Sequence, residues 1–177
     1  TAQGRLDEAA GEWDHLQAIS ADASLADYRV TFSRNGAQAI LKIAVEVLAG
    51  EMAAARGNYD EAIARLHRGV LLEDNLIYNE PPDWHVPVRQ SLGAVLLDAG
   101  RPAEAEAVYW QDLSRNRENG WSLYGLTQSL RAQGKTAEAE HVAQRFRKAW
   151  QAADVSLTAS RFMDRPIQTL AAVVGKH

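Results

Sequence analysis

The sequence predicts an all-α protein, a superhelix built from helix–turn–helix repeats. A short pattern of glycine, three variable residues, glutamate and alanine occurs four times, at 4–9, 57–62, 100–105 and 134–139. Apolar segments with helical periodicity precede the last three copies. The hydrophobic fraction of 46% and the charged fraction of 24% are typical of a folded globular chain. A pattern repeated in this way indicates an array of similar helix pairs.

Each copy of the pattern has the residue types expected where one helix ends and the next begins. Glycine adopts the left-handed conformation that ends a helix. Pro102 suits the first turn of a helix because the amide N–H that it lacks would have no partner there. Acidic residues in that turn complement the positive end of the helix dipole, and the small alanine lets two helices cross closely. The acids are Asp7, Glu8, Asp60, Glu61, Glu104 and Glu138, and the alanines are Ala9, Ala62, Ala105 and Ala139.

The first unit, residues 1–19, contains only one helix, which corresponds to the second helix of a pair. Trp13 and Leu16 lie on one face of this helix, and no partner helix precedes it in the sequence. Because exposed apolar faces usually find a mate, we expect self-association through this helix, giving a homo-oligomer. Since the chain starts at Thr1 inside a repeat, we also expect it to be the C-terminal piece of a longer protein.

The later units span 37–74, 86–117 and 120–153. In the middle unit, Leu92 and Gly93 are followed by Leu96, and Ala105 is followed four residues later by Tyr109. This arrangement, with 34 residues between Gly100 and Gly134, resembles the tetratricopeptide repeat, and the chain is similar to a group of bacterial proteins of that family without an established activity. The resemblance covers 37–153 and a fragment at 1–19. It implies a single domain with the fold of a right-handed solenoid.

Two intervals between the glycines are longer than this period. In the first, we predict a short extra helix from Asp22 to Arg34, closed by Asn35 and Gly36. The second contains the prolines Pro81 and Pro82, after which we expect Asp83 or Trp84 near the cap of a helix that starts at about Val86.

The proline-containing stretch has two possible roles. It is either a stiff corner or one wall of a binding site, since insertions in repeat proteins often gather on the binding face. In both cases we expect Trp84 to be anchored against the helices. The side chains left to contact a ligand would be Tyr78, Glu80 and His85.

The resemblance implies that the first helix of each pair lines a concave groove, which is the predicted binding surface. Trp121 and Tyr124 combine with Gln128 and Arg131 into one stripe with the residue types of binding hot spots, although such stripes also pack against neighbouring repeats. Some members of the family bind a C-terminal carboxylate with Lys and Asn, but this chain has other residues at those places, which disfavours such a clamp. The candidate groove residues are Glu51, Gln90, Asp98, Trp121, Tyr124, Gln128 and Arg131.

Composition and motifs disfavour several classes of function. The net charge of −4 provides no basic surface for nucleic acid or an anionic membrane, and the absence of cysteine removes thiolate chemistry. The five histidines are scattered, without H-E-x-x-H spacing, and there is no G-x-S-x-G motif. We therefore predict a soluble protein without enzyme activity, cofactor or metal. The resemblance implies a bacterial origin, and the sequence leaves the compartment open between cytoplasm and periplasm.

The predicted function is non-catalytic binding of a protein segment or partner subunit through the groove. The alternatives are a regulatory or substrate-holding domain of a larger enzyme or metalloprotein, and a self-associating scaffold. Residues 154–177 are expected to cap the last repeat, with a turn or short helix over 154–160 and a final helix from Ile167 to Val174.

Overall fold

A computed structural model describes residues 1–26, 28–29 and 33–162, and in these residues the fold is all-helical. The α-helices are α1 (Leu6–Ser20), α2 (Ala37–Ala55), α3 (Tyr59–Asp74), α4 (Val88–Asp98), α5 (Pro102–Arg115), α6 (Gly120–Ala132) and α7 (Thr136–Ala149). Each helix packs against the next along the chain, and α4 also contacts α2 and α6. The first helices of the three pairs therefore lie side by side. The predicted all-α repeat fold is confirmed.

The turns between the paired helices have the predicted geometry. Gly57, Gly100 and Gly134 follow the ends of α2, α4 and α6 with φ angles of +78°, +71° and +73°. The residue after each glycine donates its amide N–H back to a carbonyl of the helix, as Asn58 does to Ala53 at 2.9 Å. This is the hydrogen bond of a Schellman motif, which glycine permits because it lacks a Cβ. Gly4, also at positive φ, precedes α1.

In the middle unit, α4 and α5 cross closely at Ala105, as the small alanine predicts, and the crossing involves a third helix. The ring of Tyr109 on α5 is fully buried. A Cβ at Gly93 on α4 would lie 2.4 Å from the Tyr109 ring, and a Cβ at Gly125 on α6 would lie 2.1 Å from it. Tyr109 therefore passes through a gap between two neighbouring first helices, and this gap exists because both helices have glycine there.

The extra helix predicted over residues 22–34 is wrong for the part of that segment that the structure describes. Asp22 caps only one turn of 3₁₀ helix, Ala23–Leu25, by accepting a hydrogen bond of 2.8 Å from the amide of Ser24. The chain then forms an isolated antiparallel bridge between Arg29 and Gly36. The reason is a tertiary contact, because Ser33 and Asn35, at the end of the segment, bind Asp83 in the long connection between α3 and α4.

The long connections before α2 and before α4, which we call the first and second insertions, are joined by hydrogen bonds. Asp83 accepts from Ser33 and Asn35, both at 2.7 Å, and from Asn79 at 3.1 Å. Asn35 also exchanges two hydrogen bonds with the backbone of Ile77, at 2.7 and 2.8 Å. The two connections precede α2 and α4, so these hydrogen bonds link the starts of two neighbouring first helices.

The predicted cap of α4 is also wrong. The helix begins at Val88, after Pro87, and neither Asp83 nor Trp84 caps it. The carboxylate of Glu73, at the end of α3, accepts the amide N–H of Val88 at 3.0 Å. Asp83 is unavailable for this role because it holds the first insertion.

The N-terminal helix does have a partner within the chain. Trp13 packs against α2, where its indole N–H donates to the carbonyl of Val45 at 3.1 Å, and the guanidinium of Arg65 lies 5.9 Å from its ring. The face of α1 that carries Trp13 is therefore partly covered by the helix that follows it, and self-association through α1 stays a prediction. Helix α2 covers α1 in the way that a first helix covers the second helix of the preceding pair.

After α7 the chain turns back toward the first helices. Residues 151–162, which we call the return segment, contain turns and bends without a helix. The end of the segment contacts α2, α4 and α6 through Arg161, Ser160 and Phe162. The helix predicted from Ile167 to Val174 lies outside the described residues. Within them, no helix is both long enough and apolar enough to cross a membrane.

Candidate protein-binding face

One surface of α2, α4 and α6 gathers four of the predicted groove residues. We call this surface the inner face and define it by Glu51 on α2, Gln90 and Asp98 on α4, and Trp121 on α6. The return segment lies against all four through Ser160, Arg161 and Phe162. The predicted surface is therefore occupied by the chain itself.

Arg161 is the centre of a buried ion network on the inner face. One terminal nitrogen of its guanidinium binds the carboxylate of Glu51, and the other binds that of Asp98 at 2.7 Å. The side chains of Arg161, Glu51 and Asp98 are only 8%, 18% and 10% exposed. A single guanidinium thus bridges two helices of the stack, a geometry that its planar fork of N–H donors permits.

Burial removes water from the charged groups of this network and so shifts their pKa values. Burial raises the pKa of Asp98 above its usual range, although Arg161 pulls it in the opposite direction. Burial lowers the pKa of Arg161, but the two carboxylates outweigh this effect and raise it. Two acids therefore share one cation, and removal of that cation would leave two buried carboxylates unpaired.

Ser160 docks the return segment to the backbone of α4 and to Tyr109. Its hydroxyl donates to the carbonyl of Gln90 at 2.9 Å and lies 2.5 Å from the Tyr109 hydroxyl. Ala159 and Ser160 are both almost completely buried. The side chain of Gln90 is turned away and donates to Asn119 at 3.1 Å, so Gln90 contacts the segment through its backbone.

A cluster of five aromatic rings continues the inner face toward α7. Trp121 lies 5.0 Å from Phe162 and 5.8 Å from Trp150 between ring centroids. Phe146 lies 5.9 Å from Trp150 and 5.6 Å from Tyr124. Part of the predicted stripe is therefore packed within the chain, as the packing interpretation of Trp121 and Tyr124 proposes. Phe162, at 68% exposed, leaves one side of the cluster open.

The other residues of the stripe line a separate cleft between α6 and α7. Its volume is about 200 Å³, and Gln128 donates to the hydroxyl of Tyr124 at 3.1 Å inside it. Arg131 and Arg147 supply positive charge at this cleft. The stripe is thus divided, with Trp121 on the inner face and Tyr124, Gln128 and Arg131 in the cleft.

The loop candidates form a different group. Tyr78, Glu80 and His85 are exposed, and the Tyr78 hydroxyl donates to Glu80 at 2.5 Å. Trp84 is half-buried against the hydrophobic core, as expected for an anchor. The hydrogen bonds and ion pairs of the described residues do not connect these three side chains to Arg161 or its partners.

Three residues of the site were missed by sequence reasoning. Ser160, Arg161 and Phe162 follow the last repeat, where only a cap was expected. One signal is present in the sequence, since the predicted groove contains Glu51 and Asp98 with no basic residue predicted next to them. Two acids that share a buried face require a cation, and Arg161 is the residue that meets this need.

No group of three or more histidine, aspartate or glutamate side chains is placed to hold a metal ion, in the part of the chain that the structure describes. The site is therefore built from ion pairs, hydrogen bonds and aromatic contacts.

A stack of antiparallel helix pairs closed by glycine turns defines a helical-repeat protein, a class whose extended faces generally bind other proteins. The family model of the tetratricopeptide repeat matches residues 44–68 and 91–109, which lie on α2–α3 and α4–α5. The match supports assignment of these two helix pairs to the tetratricopeptide repeat. Such repeats generally mediate protein–protein interaction and are typically non-catalytic. No curated protein matches the chain, and no solved structure does.

Proposed function

We propose that this chain is a non-catalytic module that binds a segment of a partner protein through the inner face. The observation that supports this proposal is that the inner face already binds a peptide segment, its own residues 159–162. A surface that provides specific contacts to one stretch of polypeptide has the chemistry to bind another.

The composition of the inner face is suited to this role. Trp121 provides an aromatic anchor, a residue type that is enriched among energetic hot spots of interfaces. Glu51 and Asp98 provide two acceptors with little access to water, so a charged hydrogen bond made to them is stronger than one in solvent. The carbonyl of Gln90 adds a backbone acceptor that fixes the register of the bound segment.

The neighbouring cleft extends the proposed site. Tyr124, Gln128 and Arg131 adjoin the aromatic cluster through the contact between Tyr124 and Phe146. A partner segment longer than four residues would reach this cleft, where Arg131 favours an acidic or carbonyl group. Self-association through α1 has less support, because Trp13 is engaged by α2.

A displayed random-peptide library would test the proposal, with parallel selections against the full chain and its Arg161→Ala variant. Trp121→Ala should weaken binding of the selected peptides by at least about tenfold, the effect of removing a hot-spot anchor. Trp110→Ala is the matched control, because Trp110 is an exposed tryptophan on α5, outside the inner face. It should change binding by less than about twofold, as expected for a residue outside the contact.

Three outcomes would contradict the proposal. Peptides that bind wild type and Trp121→Ala equally well would remove the inner face as the site. Peptides whose binding falls with Glu80→Gln or His85→Ala, and not with Trp121→Ala, would place binding on the loop at 78–85. Failure to obtain binding peptides with either form of the chain would also count against a peptide-binding function.

A further inference from the structure

We infer that residues 159–162 are an intramolecular ligand that occupies the inner face, and that the partner is a protein segment presenting the same chemistry in trans. That chemistry is two small residues, the second with a hydroxyl, followed by arginine and an aromatic residue. The inference rests on the proposed function and specifies the class of partner and its competitor. Binding of the partner then requires displacement of the chain's own segment.

The arginine is specified by the positions of the two carboxylates. Glu51 and Asp98 belong to different helices, and they bind different terminal nitrogens of one guanidinium. A lysine ammonium is a single compact donor centre and does not provide this planar fork. Neutral residues would leave two carboxylates buried and unpaired, which is strongly unfavourable. The inner face is therefore selective for arginine.

The residues before the arginine are specified by space and by hydrogen bonding. Ala159 and Ser160 are 4% and 3% exposed, so larger side chains have no room at these positions. The Ser160 hydroxyl meets both the Gln90 carbonyl and the Tyr109 hydroxyl, and therefore needs to donate and accept at once. Serine does so with a small side chain, which sets the register of the arginine that follows.

The chain's own segment is an imperfect ligand, which makes it displaceable. Phe162 touches Trp121 but remains 68% exposed, so most of its apolar surface gains nothing from binding. The Nε of Arg161 is inaccessible to solvent and has no hydrogen-bond partner. A buried unpaired donor is costly. A partner segment with a better-buried aromatic residue and a fully bonded guanidinium would bind more strongly per contact.

Covalent attachment compensates for these defects. A tethered segment experiences an effective concentration in the millimolar range, so even a weak ligand stays bound while it belongs to the same chain. The apparent affinity of a partner then equals its affinity for the open inner face multiplied by the fraction of molecules in which that face is open. The return segment thus sets a threshold that a free peptide or partner has to exceed.

The test measures binding of the segment as a free peptide. A fluorescently labelled peptide with the sequence of residues 157–162, LTASRF, is titrated with full-length wild type and with Arg161→Ala, and binding is followed by anisotropy. We expect Arg161→Ala to bind at least about tenfold more tightly than wild type, because its own segment no longer competes. A peptide with citrulline in place of arginine keeps the shape without the charge and should lose most of this binding. A peptide with lysine in place of arginine should bind with an affinity between those of the arginine and citrulline peptides.

Three further variants make the result specific. Arg5→Ala removes an exposed ion pair with Glu8 at the start of α1, outside the inner face and the cleft, and should bind the peptide as wild type does. Asp98→Asn combined with Arg161→Ala should lose the gained binding. Because Arg161→Ala leaves two buried acids unpaired and so lowers stability, a second variant is needed. Phe162→Ala removes an exposed side chain of the segment and should raise the affinity for the peptide severalfold.

The outcomes separate this inference from the proposed function. Equal peptide binding by wild type, Arg161→Ala and Phe162→Ala would overturn the inference, as would equal binding of the arginine and citrulline peptides. Library peptides that lack arginine yet depend on Trp121 would overturn it while leaving the proposed function in place. Dimers formed by exchange of the segment would overturn the intramolecular part of the inference. In that case wild type would have the molecular mass of a dimer in solution, and Arg161→Ala would have that of a monomer.

Discussion

The hydroxyl of Tyr109 lies 2.5 Å from the hydroxyl of Ser160, although the two residues belong to elements on opposite sides of the first-helix layer. Ser160 has one hydroxyl proton and donates it to the carbonyl of Gln90, so Tyr109 is the donor to Ser160. This hydrogen bond connects the buried core of the repeat stack with the segment on the inner face.

The first prediction concerns this connection. Tyr109→Phe removes one hydrogen bond and should lower the free energy of unfolding by about 1 kcal/mol, whereas Ser160→Ala removes two and should lower it by about 2 kcal/mol. Because both substitutions break the same contact, the double variant should cost clearly less than the sum of the two. Urea unfolding of the four proteins measures the coupling. Strict additivity would show that the hydroxyls do not interact.

The second prediction concerns the glycine gap through which Tyr109 passes. Gly125→Ala should destabilise the fold by about 1–3 kcal/mol, because the added methyl would lie 2.1 Å from the Tyr109 ring. Gly11→Ala is the matched control, since nothing lies within 4 Å of a Cβ there. In the interior of α1 it should stabilise the fold by up to about 1 kcal/mol.

A size-reducing substitution at Tyr109 tests the cause of that effect. Tyr109→Leu removes the ring that meets the new methyl, so Gly125→Ala should cost much less in this background than in wild type. Thermal melting of the single and double variants provides the comparison. If Gly125→Ala is equally damaging with leucine at position 109, the strain arises elsewhere.

The third prediction concerns the hydrogen bonds of Asn35 and Asp83 that join the two insertions, which we call the insertion clamp. Asn35→Ala removes hydrogen bonds to Ile77 and Asp83 from a residue that is only 6% exposed, and should cost at least about 2 kcal/mol. Asn79→Ala removes one bond to the same Asp83 and leaves the clamp in place, so it should cost less than about 1 kcal/mol. Urea unfolding gives both values.

Amide hydrogen exchange provides a local readout of the same clamp. The amide of Ile77 donates to the Asn35 side chain, so its exchange should accelerate in Asn35→Ala and remain slow in Asn79→Ala. Unchanged protection of Ile77 in Asn35→Ala would mean that the loop is held by other contacts.

The sequence predicts the parts of this fold that depend on neighbouring residues. The turns at Gly57, Gly100 and Gly134 were predictable because a helix end, a positive φ and an acidic first turn are encoded within a few positions. The residue pair Gly93 and Tyr109 was predictable for a similar reason, since both belong to one helix pair with a known crossing.

Contacts between distant residues account for what the sequence did not predict. Residues 22–34 carry a plausible helix signal, but Ser33 and Asn35 bind Asp83, which is 50 and 48 residues away. The ion pair of Arg161 with Glu51 spans 110 residues, and no local pattern encodes it. Glu51, Asp98 and Trp121 do lie together on the inner face, whereas the segment that contacts them was not predicted, and a binding role for this face stays a prediction.

The last prediction is a pH dependence that originates at the start of α4. Burial raises the pKa of Glu73 to about 7, although the amide of Val88 and the charge of Arg89 act in the opposite direction, and Asp74 and Asp112 nearby add to the increase. The same carboxyl has a pKa of 4.5 when unperturbed. Between pH 4.5 and about 7, the Glu73 carboxyl is therefore protonated in the folded state and ionised in the unfolded state. Stability is full below pH 4.5 and decreases as the pH rises through about 7.

A shift of this size corresponds to a loss of up to about 3 kcal/mol between pH 5 and pH 8. Glu73→Gln should remove most of this loss, because its amide oxygen still accepts the N–H of Val88 and carries no charge to bury. The remaining slope should have the same sign, since burial also raises the pKa of Asp98. Glu104→Gln is the control: Glu104 is exposed, and its ion pair with Arg101 lowers its pKa, so its titration lies below this window. Urea unfolding at pH 5, 6, 7 and 8 distinguishes the variants. A Glu73→Gln protein that lost as much stability as wild type over this range would show that the pH dependence has another source.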